Sequence, residues 1–293
     1  MNDWPDAATF AAAFQEGRAA AAQLRLCLQQ RSWRGTLGNW AGSGVGSSID
    51  FQDHRPYLPG DDPRHIDWAA YARSGNVIMK LYREEVSPRM DLLLDVSRSM
   101  LFSPAKRKQL FALAAFCVES AQAMGATLRL AAVSGSQAHL FSPETLRQPI
   151  WPAPALTADA NAPQLEPLPL QPGSLRIWIS DLLYPAAPAE LLRPLAANHG
   201  RILLLAPFLE EEARPAWEGN LELIDCESGQ RRRQRVDAGL RRRYEQAYQQ
   251  HWAAWEESAR RYSARLARLS CESGLLQGLQ QQAFAKGVVE PWG

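Results

Sequence analysis

The stretch "DLLLDVSRSM", residues 91–100, decides how this chain is read. Leu92, Leu93 and Leu94 follow one another without polar alternation. That is the signature of a strand covered on both faces, and such strands belong to parallel sheets sandwiched by helices. The run ends in a carboxylate, Asp95, and two hydroxyls follow at every second position, Ser97 and Ser99. A buried strand that delivers three oxygen ligands to its carboxyl end places them where open α/β sheets assemble their sites.

Outward from this stretch the chain alternates strand and helix. Residues 104–124 read as a helix closed by Gly125, and "TLRLAAV" (127–133) and "LRIWIS" (175–180) as strands, the latter followed by Asp181. A helix near 186–198 precedes the strand "RILLLAPF", "LELIDCESGQRRRQRV" reads as a hairpin, and 237–272 as one long charged helix. Residues 142–173 are proline-rich and irregular. Alternating strands and helices predict an open, mostly parallel, Rossmann-like α/β sheet flanked by helices. Before it, residues 7–31 predict an amphipathic helix with Phe10, Phe14, Leu24 and Leu28 inward, followed by a Gly/Ser-rich loop. The expected organisation is an N-terminal helix (1–34), a smaller β-containing attachment (35–89) and an α/β domain (90–293).

Composition narrows the function classes. The chain has 293 residues, 46% hydrophobic and 22% charged, with a net charge of +1, which argues against nucleic acid or an anionic membrane as the main partner. The four cysteines show no C-x-x-C spacing, so no zinc or dithiol motif is visible. No apolar run reaches the roughly 18 residues of a membrane span, and the acidic start does not read as a signal peptide. A cytoplasmic protein is expected.

Three chemistries could use Asp95-x-Ser97-x-Ser99. An aspartyl nucleophile for phosphoryl transfer normally has a second acid two residues on, but Ser97 stands there and cannot hold a proton in reserve near neutral pH. A serine nucleophile lacks both a G-x-S-x-G setting and a placed histidine. A hard divalent cation takes oxygen ligands and retains waters, and Asp95, Ser97, Ser99 and a distant Asp181 would supply such a shell without closing it.

The third arrangement resembles the metal-ion-dependent adhesion site of von Willebrand factor A domains, with "ISD" at 179–181 similar to that site's second acidic element. Upstream, "DFQDHRPYLPGDDPRHIDWAAYAR" (50–73) resembles the signature of a bacterial family called domain of unknown function fifty-eight, through Arg55, Tyr57, Gly60, Asp61, Asp62, Arg64, Ile66, Asp67 and Trp68. The resemblance spans roughly residues 35–290. It implies a von Willebrand A-like fold and a metal site of Asp95, Ser97, Ser99 and Asp181 for Mg²⁺ or Mn²⁺. A loop threonine is also implied, for which Thr157 is a better candidate than Thr127 at the start of a strand. It further implies a non-enzymatic adaptor working with a MoxR-type AAA+ ATPase in assembly or maturation of other proteins, its metal completed by an acidic side chain of a client. A metal-dependent phosphate-ester hydrolase and a scaffold with a vestigial site are the alternatives.

The signature itself reads as structural: Asp62 and Pro63 start a short helix that sets Arg64, Asp67, Trp68 and Tyr71 along one side, with an Arg64–Asp67 pair and a buried Trp68. "GSGVGSS" (42–48) lacks the Lys-Ser/Thr of a phosphate loop. The runs Arg231–Arg233 and Arg241–Arg243 read as a solvated hairpin and helix start.

Overall fold

The computed structural model describes residues 4–28, 51–82, 88–146, 148, 150–154, 156 and 162–292. In chain order the main elements are α1 (Ala7–Ala21), β1 (Leu24–Leu26), β2 (Phe51–Pro56), α2 (Trp68–Ser74), β3 (Ile78–Tyr82), β4 (Arg89–Asp95), α3 (Arg98–Phe102) and α4 (Pro104–Ala123). They continue with β5 (Thr127–Ser134), β6 (Gln137–Phe141), β7 (Leu175–Ile179), α5 (Pro188–Ala196) and β8 (Arg201–Phe208). The last are β9 (Gly219–Ile224), β10 (Arg231–Val236), α6 (Ala238–Arg261), β11 (Arg265–Ser270) and β12 (Val289–Pro291). The chain divides into two units, residues 29–87 and the remainder.

The larger unit is a six-stranded sheet in the order β11-β8-β7-β4-β5-β6, parallel except for β6, which runs antiparallel to β5. The DLLLD run is β4, near the centre. Its side chains alternate between two cores: Leu92 and Leu94 join Phe10, Phe111 and Phe116 under α1 and α4, while Leu93 joins Leu192, Trp252 and Trp255 under α5 and α6. Both faces are covered, which explains the unbroken apolar run. Each leucine so buried contributes roughly 1.5–3 kcal/mol. α1 packs backbone against backbone on α4, because a Cβ at Gly17 would lie 2.4 Å from the Ala112 carbonyl oxygen.

Two predicted helices end early. The first stops at Ala21; Leu24–Leu26 instead pair antiparallel with Val289–Pro291, and the Leu26 N–H is taken by the Ser120 hydroxyl at 2.8 Å. The long C-terminal helix stops at Arg261, not 272. Ser263 adopts a left-handed φ of 52°, and the chain returns as β11, sealing the edge of β8 and burying Ala267 and Leu269. Open backbone on β8 outcompetes helix propensity there.

In the smaller unit β2 and β3 pair antiparallel. The single helix expected around the signature is two pieces. Asp62 caps a three-residue 3₁₀ turn, Pro63–His65; Ile66 is extended and bridges Met79, which breaks the helical phase. Asp67 then caps α2. The expected Arg64–Asp67 pair is therefore absent: Arg64 pairs with Asp62 at 2.7 Å, and Asp67 receives His54 at 3.0 Å with Lys80 at 3.7 Å. Trp68, expected inside, is 62% exposed and meets Tyr71 edge-on. The Gly/Ser-rich loop, including 42–48, lies outside the described residues.

Candidate functional site at the carboxyl edge of the central strands

From β4 the chain crosses through α4 to β5, whereas from β7 it crosses through α5 to β8 on the opposite side. The carboxyl ends of the neighbours β4 and β7 are thus the topological switch point, where open sheets leave a crevice. Asp95 ends β4; Ser180 and Asp181 follow β7. Two of them are joined: the Ser180 hydroxyl donates to Asp95 Oδ2 at 2.7 Å. Tyr184 donates its hydroxyl to the same oxygen, and the Ser97 N–H reaches Oδ1 at 2.9 Å.

The backbone around this knot is strained. Leu182 holds a left-handed φ of 57°, a conformation costing a non-glycine residue about 1–3 kcal/mol and concentrated at functional sites. Three hydrogen bonds keep it there. The Leu182 N–H donates to Ser180 Oγ at 3.0 Å, and its carbonyl accepts from Trp255 Nε1 at 3.1 Å and His251 Nε2 at 2.9 Å, both from α6.

Beside Asp95, the Ser97 and Ser99 hydroxyls share a hydrogen bond of 3.1 Å. Over them lies a carboxylate of the chain's own. Glu227, at the turn of the β9–β10 hairpin, accepts from the Ser99 N–H at 2.7 Å and the Arg98 N–H at 3.2 Å, and the Arg98 guanidinium donates to the Glu227 carbonyl at 3.2 Å. Asp225 holds that turn by accepting the Glu227 and Ser228 N–H groups.

Asp181 faces a different partner. Its carboxylate accepts Lys106 Nζ at 2.8 Å; the same ammonium bonds Glu212, from the short helix Glu210–Ala213. Lys106 is only 1% exposed and sits in the first turn of α4, where the helix dipole disfavours a cation. Burial would depress its pKa, but the two carboxylates outweigh this and hold it above the ordinary lysine value. Asp95 goes the other way: burial, and next the charge of Asp181, raise its pKa to about 6, against the lowering by Tyr184, Ser180 and the Ser97 N–H. Burial raises the Tyr184 phenol, so it stays a donor. Burial also raises the nearby thiols, Cys226 and, to about 12, Cys271.

The expected ligands therefore separate. Asp95, Ser97 and Ser99 present oxygens on one turn, and their hydroxyl spacing fits a Mg²⁺ shell, since ligands at about 2.0–2.1 Å on adjacent octahedral vertices lie about 3 Å apart. Asp181 is already engaged by an internal cation. Thr157 lies outside the described residues. Among the described residues no three His, Cys, Asp or Glu side chains cluster in a way that could hold a metal. Ser180, Tyr184, Lys106, Glu212 and Glu227 escaped the sequence reading; only Ser180, inside "ISD", carried a local signal.

The signature residues of the smaller unit satisfy one another. Arg55 grips Asp61 with two bonds of 2.7 Å, and Asp61 also accepts the Leu58 N–H, so its pKa is lowered chiefly by Arg55. Gly60 has a φ of 106°, which the turn requires and a side chain would resist. A family model described as "Protein of unknown function DUF58" matches residues 53–254, from this segment through the α/β sheet into α6. The chain belongs to the DUF58 family. No curated protein and no solved structure matches it. In this DUF58 protein no helix among the described residues is long and apolar enough to cross a membrane.

Proposed function

We propose that this DUF58 protein is a von Willebrand A-like, protein-binding adaptor that receives an acidic side chain of a partner at the β4–β7 edge. It works with a MoxR-type AAA+ ATPase in assembly or maturation of other proteins. The observation that carries the reading is Glu227: a carboxylate already rests on the Asp95–Ser99 turn, held by two backbone N–H groups beside the paired hydroxyls. A partner carboxylate that displaces Glu227 meets the same two donors.

Asp95, Ser97 and Ser99 fit as the protein's share of a divalent-cation shell. Around them the four carboxylates Asp95, Asp181, Glu212 and Glu227 outnumber the two cations Lys106 and Arg98, leaving negative charge for a divalent ion to offset. Such an ion, when bound, supplies an electrophilic centre that attracts an anionic oxygen. The chain's own residues do the positioning. Ser180 and Tyr184 fix the Asp95 carboxylate, and Lys106 fixes that of Asp181. A metal-free version is favoured by one observation: Lys106 already supplies a buried cation to Asp181.

The test is titration calorimetry of the chain against a purified MoxR-type ATPase, with Mg²⁺ and with EDTA, for the wild type and Asp95→Ala. Binding that needs Mg²⁺ and Asp95 supports the adaptor reading. Binding unchanged by EDTA and lost only with Asp95→Ala selects the metal-free version. Binding indifferent to both overturns the site.

A further inference from the structure

The arginine runs acquire a purpose in three dimensions that their sequence did not suggest. Residues 231–243 hold seven arginines and one acid, Asp237, in a chain whose net charge is +1. Strand pairing sorts those of β10 onto two faces. Arg231 and Arg233 point with Glu222 to the outer face and lie 3.4 and 3.7 Å from its carboxylate. Arg232 is opposite Leu223 on the other face, which turns toward α6. There Trp217, Leu223, Leu240 and Tyr244 line a cavity of about 190 Å³, and Arg232 and Arg241 stand at it with no ion pair among the described residues. Trp217 and Tyr244, each 38% exposed, meet at 6.5 Å between ring centres.

Small-molecule sites run to about 300–1,000 Å³. This cavity is smaller, near the volume of one large side chain, and the chain's net charge of +1 argues against nucleic acid as its occupant. We infer that it is a docking pocket for an extended acidic segment of a partner protein: one aromatic or large aliphatic side chain packs against Trp217 and Tyr244, and flanking carboxylates pair with Arg232 and Arg241. Aromatic and arginine side chains in a desolvated pocket are the usual carriers of interface energy. Exposed arginines with free fork donors match carboxylates in two-point geometry. This surface shares no lining residue with the Asp95 turn and requires no metal.

The test is selection of a random twelve-residue peptide display library on the full chain, followed by fluorescence anisotropy of the enriched peptides. The expected result is a shared pattern of one aromatic or large aliphatic residue with two or more acids close by. EDTA leaves this binding unchanged. The charge-reversal pair Arg232→Glu/Arg241→Glu weakens it at least tenfold, and added salt weakens it progressively. Arg232→Gln/Arg241→Gln, checked by circular dichroism, gives an intermediate loss and stands in if the reversal disturbs folding. The inference is overturned if no such pattern is enriched or if both arginine pairs bind the peptides as the wild type does. A labelled oligothymidine bound more tightly than every peptide and lost in the same variants would also overturn it, by making the surface a nucleic-acid site.

Discussion

Replacing Asp95 by asparagine tests whether this edge stores unfavourable charge. Asp95 is fully buried, and its pKa is raised to about 6 from 3.8, first by burial and then by Asp181. Because the folded value lies above the unfolded one, the folded chain binds the extra proton between these pH values. The associated stability is present in full below about pH 4 and lost as pH rises through about 6. A rise of that size corresponds to about 3 kcal/mol, so above pH 7 the ionised Asp95 costs the fold on the order of 3 kcal/mol. An amide at this position keeps the shape and still accepts the Ser97 N–H, but it misaligns one partner among Ser180 and Tyr184, at about 1 kcal/mol. Asp95→Asn should therefore be more stable than the wild type by about 1–2 kcal/mol at pH 7.5 in EDTA, and the advantage should shrink and reverse below pH 4. Urea unfolding from pH 3 to 8 measures it, and taking the difference between the proteins cancels the other carboxylates. If the Asp95→Asn variant is the less stable at pH 7.5, or the difference is flat across pH 4–6, the charge argument fails. Sites that sacrifice stability in this way are the ones where function selects the charge.

Lys106→Met should cost about 3–5 kcal/mol in the same assay, because Asp181 and Glu212 lose their shared cation inside the fold. Adding Asp181→Asn should recover part of that loss, and strict additivity would show that the two groups are not coupled. Glu227→Ala removes the acceptor of the Arg98 and Ser99 N–H groups, so amide exchange across 98–102 should quicken and stability should fall by about 1 kcal/mol, while a partner carboxylate should bind more tightly. Unaltered exchange would mean that Glu227 is not seated on the turn in solution. Gly17→Ala should destabilise by about 1–3 kcal/mol, read as a lower thermal midpoint, because its Cβ meets the backbone of α4 at 2.4 Å.

The uninterrupted Leu92-Leu93-Leu94 run reflects burial on two faces, and the alternation with helices predicted the parallel sheet that carries Asp95 and Asp181 to one edge. The helices misjudged at Ala21 and Arg261 ended where a distant strand offered hydrogen bonds, Val289–Pro291 for β1 and β8 for β11. No window of sequence contains that competition. The exposed Trp68 and the rearranged Arg64 follow from one extended residue, Ile66, and its bridge to Met79.

Which oxygens stand at the end of β4 is a local matter, because strand burial and the two-residue spacing of Asp95, Ser97 and Ser99 can be read from adjacent residues. What meets them comes from far along the chain. Ser180 and Tyr184 come from 85 and 89 residues away, Lys106 crosses 75 residues to Asp181, and Glu227 crosses 128 to Ser99. Those encounters depend on β4 and β7 being neighbours in the sheet and on a hairpin laid across their ends. Strand order and long-range closure are set by the packing of the whole chain, and residues that meet this way leave no trace in their own surroundings.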